Sequence, residues 1–362
     1  MQTTIEIGRK RRVGPGQPVY VVAEVSANHN RDFDCAAELL REIEAAGADA
    51  VKLQTYTPDT LTLRADSAPF RIRGDTLWDG RTLHDLYREA YMPWEWQPRL
   101  KEIADGLGLD LFSTAFDPSA VDFLERLGVP VHKVASFEIV DIPLIEKMAR
   151  TGKPLIISTG MATLGEIEEA IGAARGAGAQ QIALLKCTSA YPAPPEEMNL
   201  RTIPNLAEAF QVPVGLSDHT LGVAAAVAAV ALGACIVEKH VTLSRSIPSP
   251  DSAFSLEPHQ LRAMVEAIRA VEKALGTVRY GAGEHEAKSR VFRRSLFAVR
   301  DVKAGEPFTE DNVRSIRPGH GLHPRHLGEI MGRRAKRDVA RGTPLAWDLV
   351  EQADDAAARG PS

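Results

Sequence analysis

The sequence predicts a TIM (β/α)8 barrel followed by a small β-rich domain, and three observations support this prediction. Short apolar runs rich in β-branched residues alternate eight times with longer amphipathic segments. Eight such units over about 250 residues are typical of this barrel. No GxGxxG fingerprint accompanies them, which disfavours the alternative of a doubly wound sheet. After Gly283 the pattern changes to short strands separated by glycine and proline turns.

The predicted strands are apolar on both faces, which is typical of a parallel sheet covered by helices. In chain order they span residues 19–25, 50–54, 109–113, 131–135, 155–158, 182–187, 212–216 and 234–239. The segments that follow them repeat apolar residues at helical spacing. These predicted helices span residues 35–45, 95–107, 119–127, 143–150, 164–176, 200–210, 221–232 and 258–275.

Three segments lie outside the repeating units. The opening segment predicts a hairpin before the first strand, broken at the Gly14-Pro15-Gly16 turn. Residues 58–96 form an insertion that is too long for a plain connection, and long ordered insertions near a barrel mouth usually shape substrate binding. We expect the barrel in residues 1–285, the β-rich domain in 286–350 and a disordered tail in 351–362.

Composition and charge exclude several classes of protein. The chain has 43 basic and 48 acidic side chains, a net charge of −5, which argues against a nucleic-acid partner. Its longest apolar run, residues 222–237, is too short for a membrane span, and no apolar stretch follows the N-terminal basic residues as in a secretory signal. The three cysteines, without a CxxC pair, predict reduced thiols in a cytoplasmic protein.

Polar side chains follow every predicted strand, at the end of the barrel where enzymes of this fold place their chemistry. Lys52, Lys133 and Lys186 lie in or beside apolar strands, where an unpaired ammonium group is costly. One interpretation is structural ion pairing with nearby glutamates, which are Glu24, Glu138 and Glu238. The other is a site for a ligand that carries phosphate and carboxylate groups, with further donors from hydroxyl side chains. These hydroxyls belong to Thr114, Ser136, Ser158, Ser189 and Ser217.

Two histidines, His219 and His240, end neighbouring predicted strands. Two imidazoles completed by a carboxylate or water form a common open site for a transition metal. The alternative is a pair of core histidines, or a single general base. We expect His29 to face a substrate, one loop turn further out. The three histidines of the C-terminal region lie in a glycine- and proline-rich loop and are expected to be solvated; they are His320, His323 and His326.

The candidate acids and bases are Glu24, Glu138 and Asp251. Asp251 lies in a stiff loop after the last predicted strand, where an aspartate is often only a turn former. The long insertion carries aromatic side chains that either pack the loop or form an apolar wall for a sugar. These side chains are Trp78, Tyr91, Trp94 and Trp96.

The strings at the strand ends resemble the sialic acid synthase family, and the resemblance covers nearly the whole chain. They are AEVSANHN, GADAVKLQTY, LFSTAFD, KVASFEIVDIPLI, KPLIISTGMA, LLKCTSAYPAP, GLSDHTLG, LGACIVEKHVTL and PDSAFSLEP. The region RRSLFAVRDVKAGEPFTEDNVRSIRPGHGL is similar to the family's antifreeze-like (SAF) domain. The resemblance implies an enzyme that condenses phosphoenolpyruvate with an amino sugar. The strings TYTPDTLT and DTLWDGRTLHDLYREAYMPWEW are most similar to members that make pseudaminic acid from 2,4-diacetamido-2,4,6-trideoxy-β-L-altrose.

The resemblance also implies roles for single residues. It places a divalent ion, Mn²⁺ or Mg²⁺, on His219 and His240, and sugar contacts on Glu24, Tyr191 and Asp251. The implied phosphoenolpyruvate contacts are Lys52, Thr114, Lys133, Ser136, Ser158 and Ser217, with Ser189 at a position that is polar in the family. Glu138 is expected to stabilise cationic character at C2 of the enol. Arg317 corresponds to an arginine that the family supplies from the partner subunit, which implies a domain-swapped homodimer.

Two departures and three rival interpretations remain open at this point. The family often has proline where Ala115 stands and commonly has glycine where Ser249 stands, which puts local loop geometry in doubt. A metal-dependent aldolase or isomerase would share the histidines and lysines without needing Arg317. A non-catalytic sugar- or ice-binding protein is conceivable from the terminal domain alone. Within the family, an N-acetylneuraminate or legionaminate synthase using an N-acetylmannosamine-type sugar is the alternative.

Overall fold

The computed structural model describes residues 4–74 and 76–352, and its eight central strands close into a parallel barrel. The strands are β1 (Ile5–Ile7), β2 (Arg11–Val13), β3 (Tyr20–Glu24), β4 (Ala50–Thr55), β5 (Asp110–Ala115), β6 (His132–Val134), β7 (Leu155–Ser158), β8 (Ile182–Cys187), β9 (Val214–Asp218), β10 (Ile236–His240), β11 (Ser295–Ala298) and β12 (Val313–Ile316). The barrel order is β10-β3-β4-β5-β6-β7-β8-β9. The predicted TIM barrel is confirmed, and the doubly wound alternative is wrong.

The helices between the barrel strands bury their apolar face against the sheet and expose their polar face, as the spacing of their apolar residues predicts. They are α1 (Phe33–Ala45), α2 (Pro58–Leu61), α3 (Leu83–Ala90), α4 (Gln97–Leu107), α5 (Pro118–Leu127), α6 (Ile142–Ala149), α7 (Leu164–Gly176), α8 (Thr202–Phe210), α9 (Ala224–Ala231) and α10 (Pro258–Leu275). Side chains in the preceding loops fix several starting points: Asp32 accepts from two backbone N–H groups of α1, and Asp117 does the same for α5. None of the helices in the described residues is long and apolar enough to cross a membrane.

The hairpin β1–β2 packs against the base of the barrel, where the strands begin. Ile5, Ile7 and Val13 are buried in the same apolar core as the strands. Gly8, between the two hairpin strands, has a φ of +54° and lies so close to Asp110 that a Cβ atom would approach its Oδ1 to 2.1 Å. Only glycine therefore fits this turn against the base.

Charged side chains at the base form what we call the base cluster: Arg11, Asp49, Asp110 and Arg269. Asp49 accepts from Arg11 at 2.7 Å and from Arg269 at 2.9 Å, through different oxygens. Arg11 also lies 3.3 Å from Asp110, which accepts from the hydroxyl of Tyr20 at 3.1 Å. The carboxylates of Asp49 and Asp110 thus both accept hydrogen bonds from neighbouring side chains at the base of the barrel.

Residue packing divides the chain into two compact units, Met1–Gly276 and Thr277–Ser362. Within the described part of the second unit, β11 and β12 pair antiparallel, and two short helices, α11 (Glu284–Ala287) and α12 (Leu327–Ile330), accompany them. Leu296, Phe308 and Leu345 belong to a separate apolar core. A small β-rich C-terminal unit is therefore confirmed. The limits 1–285 and 286–350 stay a prediction, and residues 353–362 of the predicted tail lie outside the described residues.

Candidate active site

The predicted site residues of the barrel lie at its mouth, in two levels. We call the lower level the strand layer, because its side chains belong to the barrel strands themselves. It comprises Glu24, Lys52, Thr114, Lys133, Ser158, Ser217, Glu238 and His240. The upper level, the loop layer, follows the strand ends and comprises Ser136, Glu138, Ser189, Tyr191, His219 and Asp251.

Lys52 occupies the centre of the strand layer. Its ammonium nitrogen lies 2.8 Å from Glu24 and 3.5 Å from Glu238, and it donates to the Thr114 hydroxyl at 3.1 Å. Burial lowers the pKa of Lys52, but the two carboxylates outweigh it and raise the pKa overall. Burial raises the pKa of Glu24 to about 7 against the opposing effect of Lys52. A permanent positive charge therefore sits beside a carboxyl group that titrates near neutrality.

Lys133 is the second cation of the strand layer and is almost fully buried. It donates to the Ser158 hydroxyl at 2.7 Å and lies 3.9 Å from Glu238. Burial, with Lys52 nearby, lowers the pKa of Lys133. Glu238 also accepts from Ser217 at 3.2 Å, while its second oxygen is buried without a hydrogen-bond partner. Two lysines thus share one oxygen of a single carboxylate, and their remaining N–H groups can donate to an anionic ligand.

Two serines of the loop layer meet across Gly160. The backbone N–H of Gly160 donates to Ser136 at 3.1 Å. A Cβ atom on Gly160 would approach the Ser189 hydroxyl to 2.3 Å and the Ser136 hydroxyl to 2.7 Å. The missing side chain therefore lets both hydroxyls converge at one point above β7.

The third predicted lysine of the anion site, Lys186, is arranged differently. Its ammonium donates to the carbonyl oxygen of Cys187 at 2.9 Å and to the Thr188 hydroxyl at 2.7 Å. Burial lowers its pKa. Lys186 is therefore bound to its own strand end, whereas Lys52 and Lys133 share Glu238.

The two histidines are adjacent, with ring centroids 5.3 Å apart. His219 donates from Nδ1 to the Thr188 carbonyl oxygen at 3.0 Å, which leaves Nε2 for another partner. His240 has a buried Nδ1 without a hydrogen-bond partner, and burial lowers its pKa well below the ordinary value. No group of three or more His, Cys, Asp or Glu side chains in the described residues is arranged to hold an ion. The pair fits an open two-imidazole site whose other ligands are water or substrate.

Asp251 adjoins this pair from the loop after β10. Its carboxylate lies 3.9 Å from Nδ1 of His240 and accepts from the Ser26 hydroxyl and, at 3.4 Å, from the N–H of Ala27. Burial raises the pKa of Asp251 against these hydrogen bonds. Asp251 is thus held by several partners rather than left as a solvated turn residue.

Glu138 lies on the single turn after β6. Its Oε2 is buried without a hydrogen-bond partner. Burial raises the pKa of Glu138 to about 7, and the nearby Lys133 opposes this shift. A carboxyl group with this pKa and a free oxygen can exchange a proton near neutral pH.

Tyr191 connects the histidines to the long insertion. Its ring lies 4.4 Å from His219 and 5.8 Å from Trp78, measured between centroids. Trp78 also donates to the carbonyl oxygen of Pro250 at 3.1 Å, next to Asp251. Of the predicted aromatic stripe, Trp78 therefore reaches the site.

The other members of the stripe pack elsewhere. Trp94 packs on Phe123, Trp96 on Phe33, and Tyr91 under Arg31. The expectation that His29 faces a substrate is not supported, because its ring is fully buried, accepts from the N–H of Arg31 at 2.9 Å and packs edge-on against Trp96. Burial lowers the pKa of His29 to about 4.

The C-terminal unit carries the remaining predicted site residues. Arg317 is exposed and directly follows β12. Of the three loop histidines, His320 is exposed. Nδ1 of His326 lies 3.0 Å from the carboxylate of Glu329, and its ring packs edge-to-face against Trp347.

Four residues near the site were not singled out from the sequence for a role there. Glu238 was considered only as an ion-pair partner, and Gln54 donates to Glu24 at 2.9 Å. Both occur two residues from a predicted site residue in the same strand, so strand alternation is a signal that indicates them. Asn28 accepts from Ser249 at 2.5 Å and donates to Ser255 at 2.8 Å, which ties the first and last loops of the barrel together.

Cys187, the fourth, ends β8 within reach of a predicted metal ligand. Its sulfur lies 3.8 Å from Nδ1 of His219 and 3.7 Å from the Ser189 hydroxyl. Burial raises the pKa of the Cys187 thiol, but the hydrogen bonds with His219 and the serines together have the larger effect and lower the pKa to about 6. No sequence spacing indicates this pair, because Cys187 ends β8 whereas His219 follows β9.

Comparisons with known proteins identify the family. The NeuB family model matches residues 39–280 and the SAF domain model matches residues 293–351. The pseudaminic acid synthase of Helicobacter pylori is 46% identical over 337 residues, covering 93% of this chain and 99% of that protein. The N,N'-diacetyllegionaminic acid synthase of Legionella pneumophila is 36% identical over 344 residues, covering 93% and 96%. The crystal structure of the spore coat polysaccharide biosynthesis protein spsE of Bacillus subtilis matches with a TM-score of 0.65 and 34% identity, covering 97% and 100%.

Proposed function

This chain belongs to the NeuB family, and we propose that it is a pseudaminic acid synthase. The reaction condenses phosphoenolpyruvate, 2,4-diacetamido-2,4,6-trideoxy-β-L-altrose and water to give pseudaminic acid and phosphate. The observation that carries the proposal is the strand layer, in which two buried lysines share one carboxylate at the mouth of the barrel. The choice of sugar rests on the greater identity to a pseudaminic acid synthase, 46% against 36% for a legionaminic acid synthase.

Lys52 and Lys133 would bind the phosphate and carboxylate groups of phosphoenolpyruvate. Each lysine already has a hydroxyl neighbour, Thr114 for the first and Ser158 for the second, which can donate to the same anion. Ser136, Ser189 and Ser217 add further donors. Charge-assisted hydrogen bonds of this kind are strong in a buried site and orient the enol.

His219 and His240 would hold the divalent ion, Mn²⁺ or Mg²⁺, which supplies Lewis-acid polarisation of the sugar aldehyde oxygen when it is bound. Asp251, held by Ser26, would orient the sugar beside His240. Tyr191 and Trp78 would form an apolar wall over the sugar. These residues bring C1 of the open-chain sugar next to C3 of the enol.

In the chemical step, C3 of the enol forms a bond to C1 of the sugar, and the aldehyde oxygen gains a proton to become a hydroxyl. Glu138 would stabilise the cationic character that develops at C2. Water then adds to C2 and loses a proton to a carboxylate, Glu24 or Glu138, both of which titrate near pH 7. The C2 hydroxyl then loses its proton to the departing phosphate as the bond between C2 and the phosphate oxygen breaks, which releases hydrogen phosphate and the α-keto acid. Of the two protons of water, one thus leaves with phosphate and the other, taken up by the carboxylate, replaces the proton given to the aldehyde oxygen.

The acceptor sugar is tested by incubating the protein with phosphoenolpyruvate, Mn²⁺ and single candidate sugars. We expect phosphate release with the altrose derivative and a product of the mass of pseudaminic acid. Phosphate release only with an N-acetylmannosamine-type sugar would move the assignment to an N-acetylneuraminate or legionaminate synthase. The absence of release with any amino sugar would refute a synthase.

The metal assignment is tested with His219→Ala. We expect loss of phosphate release and of bound Mn²⁺, because one of two imidazole ligands is removed. His320→Ala, in the C-terminal unit, is the control and should retain both. Turnover by chelator-treated protein equal to that of the untreated protein would remove the ion from this role.

We also propose a cytoplasmic homodimer in which Arg317 of one subunit completes the site of the other. Arg317→Ala and His219→Ala should each be inactive. Co-expression of the two variants should restore activity, because one site of a mixed dimer then carries neither substitution. Failure to restore activity in isolated mixed dimers would place Arg317 outside the partner's site.

A further inference from the structure

A second pair of charges lies beside the strand layer and plays no part in the proposed chemistry. Lys239 of β10 and Asp218 of β9 are opposite each other in the sheet register, with their charged atoms 2.7 Å apart. Both side chains are completely buried. Since successive side chains of a strand point to opposite faces, they point away from the face of Glu238, His240 and Ser217.

The hydrogen bonds of this pair involve the two chain neighbours of His219, one of the proposed metal ligands. Asp218 accepts from Lys239 through one oxygen and from the N–H of Thr220 at 2.9 Å through the other. Lys239 also donates to the carbonyl oxygen of Thr220. His219 lies between the two residues so fixed, and His240 directly follows Lys239. The pair therefore joins the chain on both sides of His219 to the strand that carries His240.

Stability alone does not account for such a pair. Burying two charges costs several kcal/mol of desolvation for each ion, and apolar residues of similar volume often serve stability equally well. A buried pair with further hydrogen bonds does, however, restrict geometry. Here the restricted geometry is the end of β9 and β10, where the two imidazoles approach each other.

We propose that Asp218 and Lys239 are positioning residues, which hold His219 and His240 at the separation and orientation that a divalent ion requires. The inference rests on the proposed function, because it assigns the pair to the same two-histidine site. Groups behind a metal ligand commonly change metal affinity when they are replaced. The pair touches neither the ion nor the substrates in this assignment.

The test compares two double variants with matched substitutions. Asp218→Asn with Lys239→Met removes both charges of the proposed positioning pair. Asp49→Asn with Arg269→Met makes equivalent changes in the base cluster, at the other end of the barrel. Two measurements are made on each: the protonation of His219 by ¹⁵N NMR of the metal-free protein with labelled histidine, and Mn²⁺ binding by titration calorimetry.

In the wild type we expect His219 protonated at Nδ1, as the Thr188 contact requires, and in the Asp218/Lys239 variant a mixture of ring states. Mn²⁺ binding by that variant should be about 10- to 100-fold weaker. The base-cluster variant should match the wild type in both measurements. An Asp218/Lys239 variant that also matches the wild type in both would overturn the inference.

The outcomes separate this inference from the proposed function. If the wild type binds no Mn²⁺, the proposed metal role fails, and the NMR comparison alone then decides whether the pair positions His219. If the Asp218/Lys239 variant does not fold, Lys239→Arg replaces it, since arginine keeps the charge but presents its donors in a different geometry. A folded Lys239→Arg protein with unchanged ring state and unchanged Mn²⁺ affinity would also overturn the inference.

Discussion

The two ends of the barrel hold charged clusters of similar composition and opposite character. In the base cluster, Asp49 accepts from two arginines and Asp110 accepts from Tyr20. The buried Nε of Arg11 makes no hydrogen bond, but it lies 3.3 Å from the carboxylate of Asp110. At the mouth, by contrast, oxygens of Glu238 and Glu138 and a nitrogen of His240 are buried without hydrogen-bond partners.

The difference indicates which cluster supports the fold and which serves function. Buried polar groups are nearly always paired in folded proteins, and an unpaired one costs free energy. The base cluster has the pairing that stability favours. The mouth retains unpaired acceptors and two lysines around one carboxylate, which a charged ligand and an ion would complete. Substitutions at the two ends should therefore separate activity from stability.

The largest expected effect is that of Lys133→Met at the mouth. We expect kcat/KM for phosphate release to fall by about 10²- to 10³-fold, because one charged donor to the anion is lost. The unfolding free energy should change little, since a buried ammonium is removed together with its desolvation cost. Lys153→Met is the control: Lys153 pairs with Glu125 at 2.8 Å outside the site, and activity should be retained.

Arg269→Met should have the opposite effect at the base. We expect the unfolding free energy to fall by about 2 kcal/mol, because Asp49 keeps Arg11 but loses one partner of a partly buried pair. Denaturant unfolding measures the loss, and kcat/KM should equal that of the wild type. A fall in kcat/KM in the folded protein would contradict the assignment of the base cluster to stability.

Glu138→Gln should show that a buried, charged Glu138 lowers the stability of the folded protein, and that this loss depends on pH. The folded pKa of about 7 lies above the ordinary value of 4.5, so the folded protein binds the proton more tightly than the unfolded chain. The wild type therefore loses stability as the pH rises from 4.5 through 7, and the glutamine variant loses less, because Glu24 still contributes but Glu138 does not. Above pH 7 the variant should be more stable by about 3 kcal/mol.

Thermal or denaturant unfolding at pH 4.5, 6 and 8 measures this difference. His29→Gln is a contrasting control, because its pKa of about 4 lies below the ordinary 6.5. The stability that neutral His29 contributes is present above pH 6.5 and is lost as the pH falls toward 4. An advantage of Glu138→Gln that is equal at all three pH values would contradict the raised pKa.

The smallest expected effect is that of Trp78→Ala. Loss of this ring from the wall beside Tyr191 should raise KM for the sugar by about tenfold, on the scale of one aromatic contact. KM for phosphoenolpyruvate should stay constant. Trp94→Ala removes a ring that packs on Phe123 and not on Tyr191, and it should alter stability but neither KM.

Most barrel strands could be predicted from the sequence because their apolar side chains are contiguous. Two strands are longer than predicted at the end that carries site residues. β9 extends to Asp218 and β10 to His240, whereas apolarity predicts ends at 216 and 239. Polar residues at these strand ends are paired across the sheet, as Lys239 is with Asp218, so they continue the strand without apolar character.

The contacts between distant strands could not be predicted in the same way. Whether Glu238 pairs with Lys52, Lys133 or both depends on how the barrel closes. The spacing of strands along the sequence does not give the distances between these side chains. The link from Asn28 to Ser249 likewise exists because β10 pairs with β3. The departure of Ser249 from the family's usual glycine thus has a local reason, since its hydroxyl donates to Asn28.

The depth of the two layers at the mouth also has a kinetic consequence. Lys52 and Lys133 project from within strands, while Tyr191, Asp251 and the contact with Trp78 belong to the loops above them. The hairpin β1–β2 packs on the opposite end. Under the proposed function, the small anion would reach the lysines before the sugar occupies the loops, and the phosphate released there would leave only after the larger product. Binding and release would then follow a fixed order, with the first ligand to enter bound deepest and phosphate departing last.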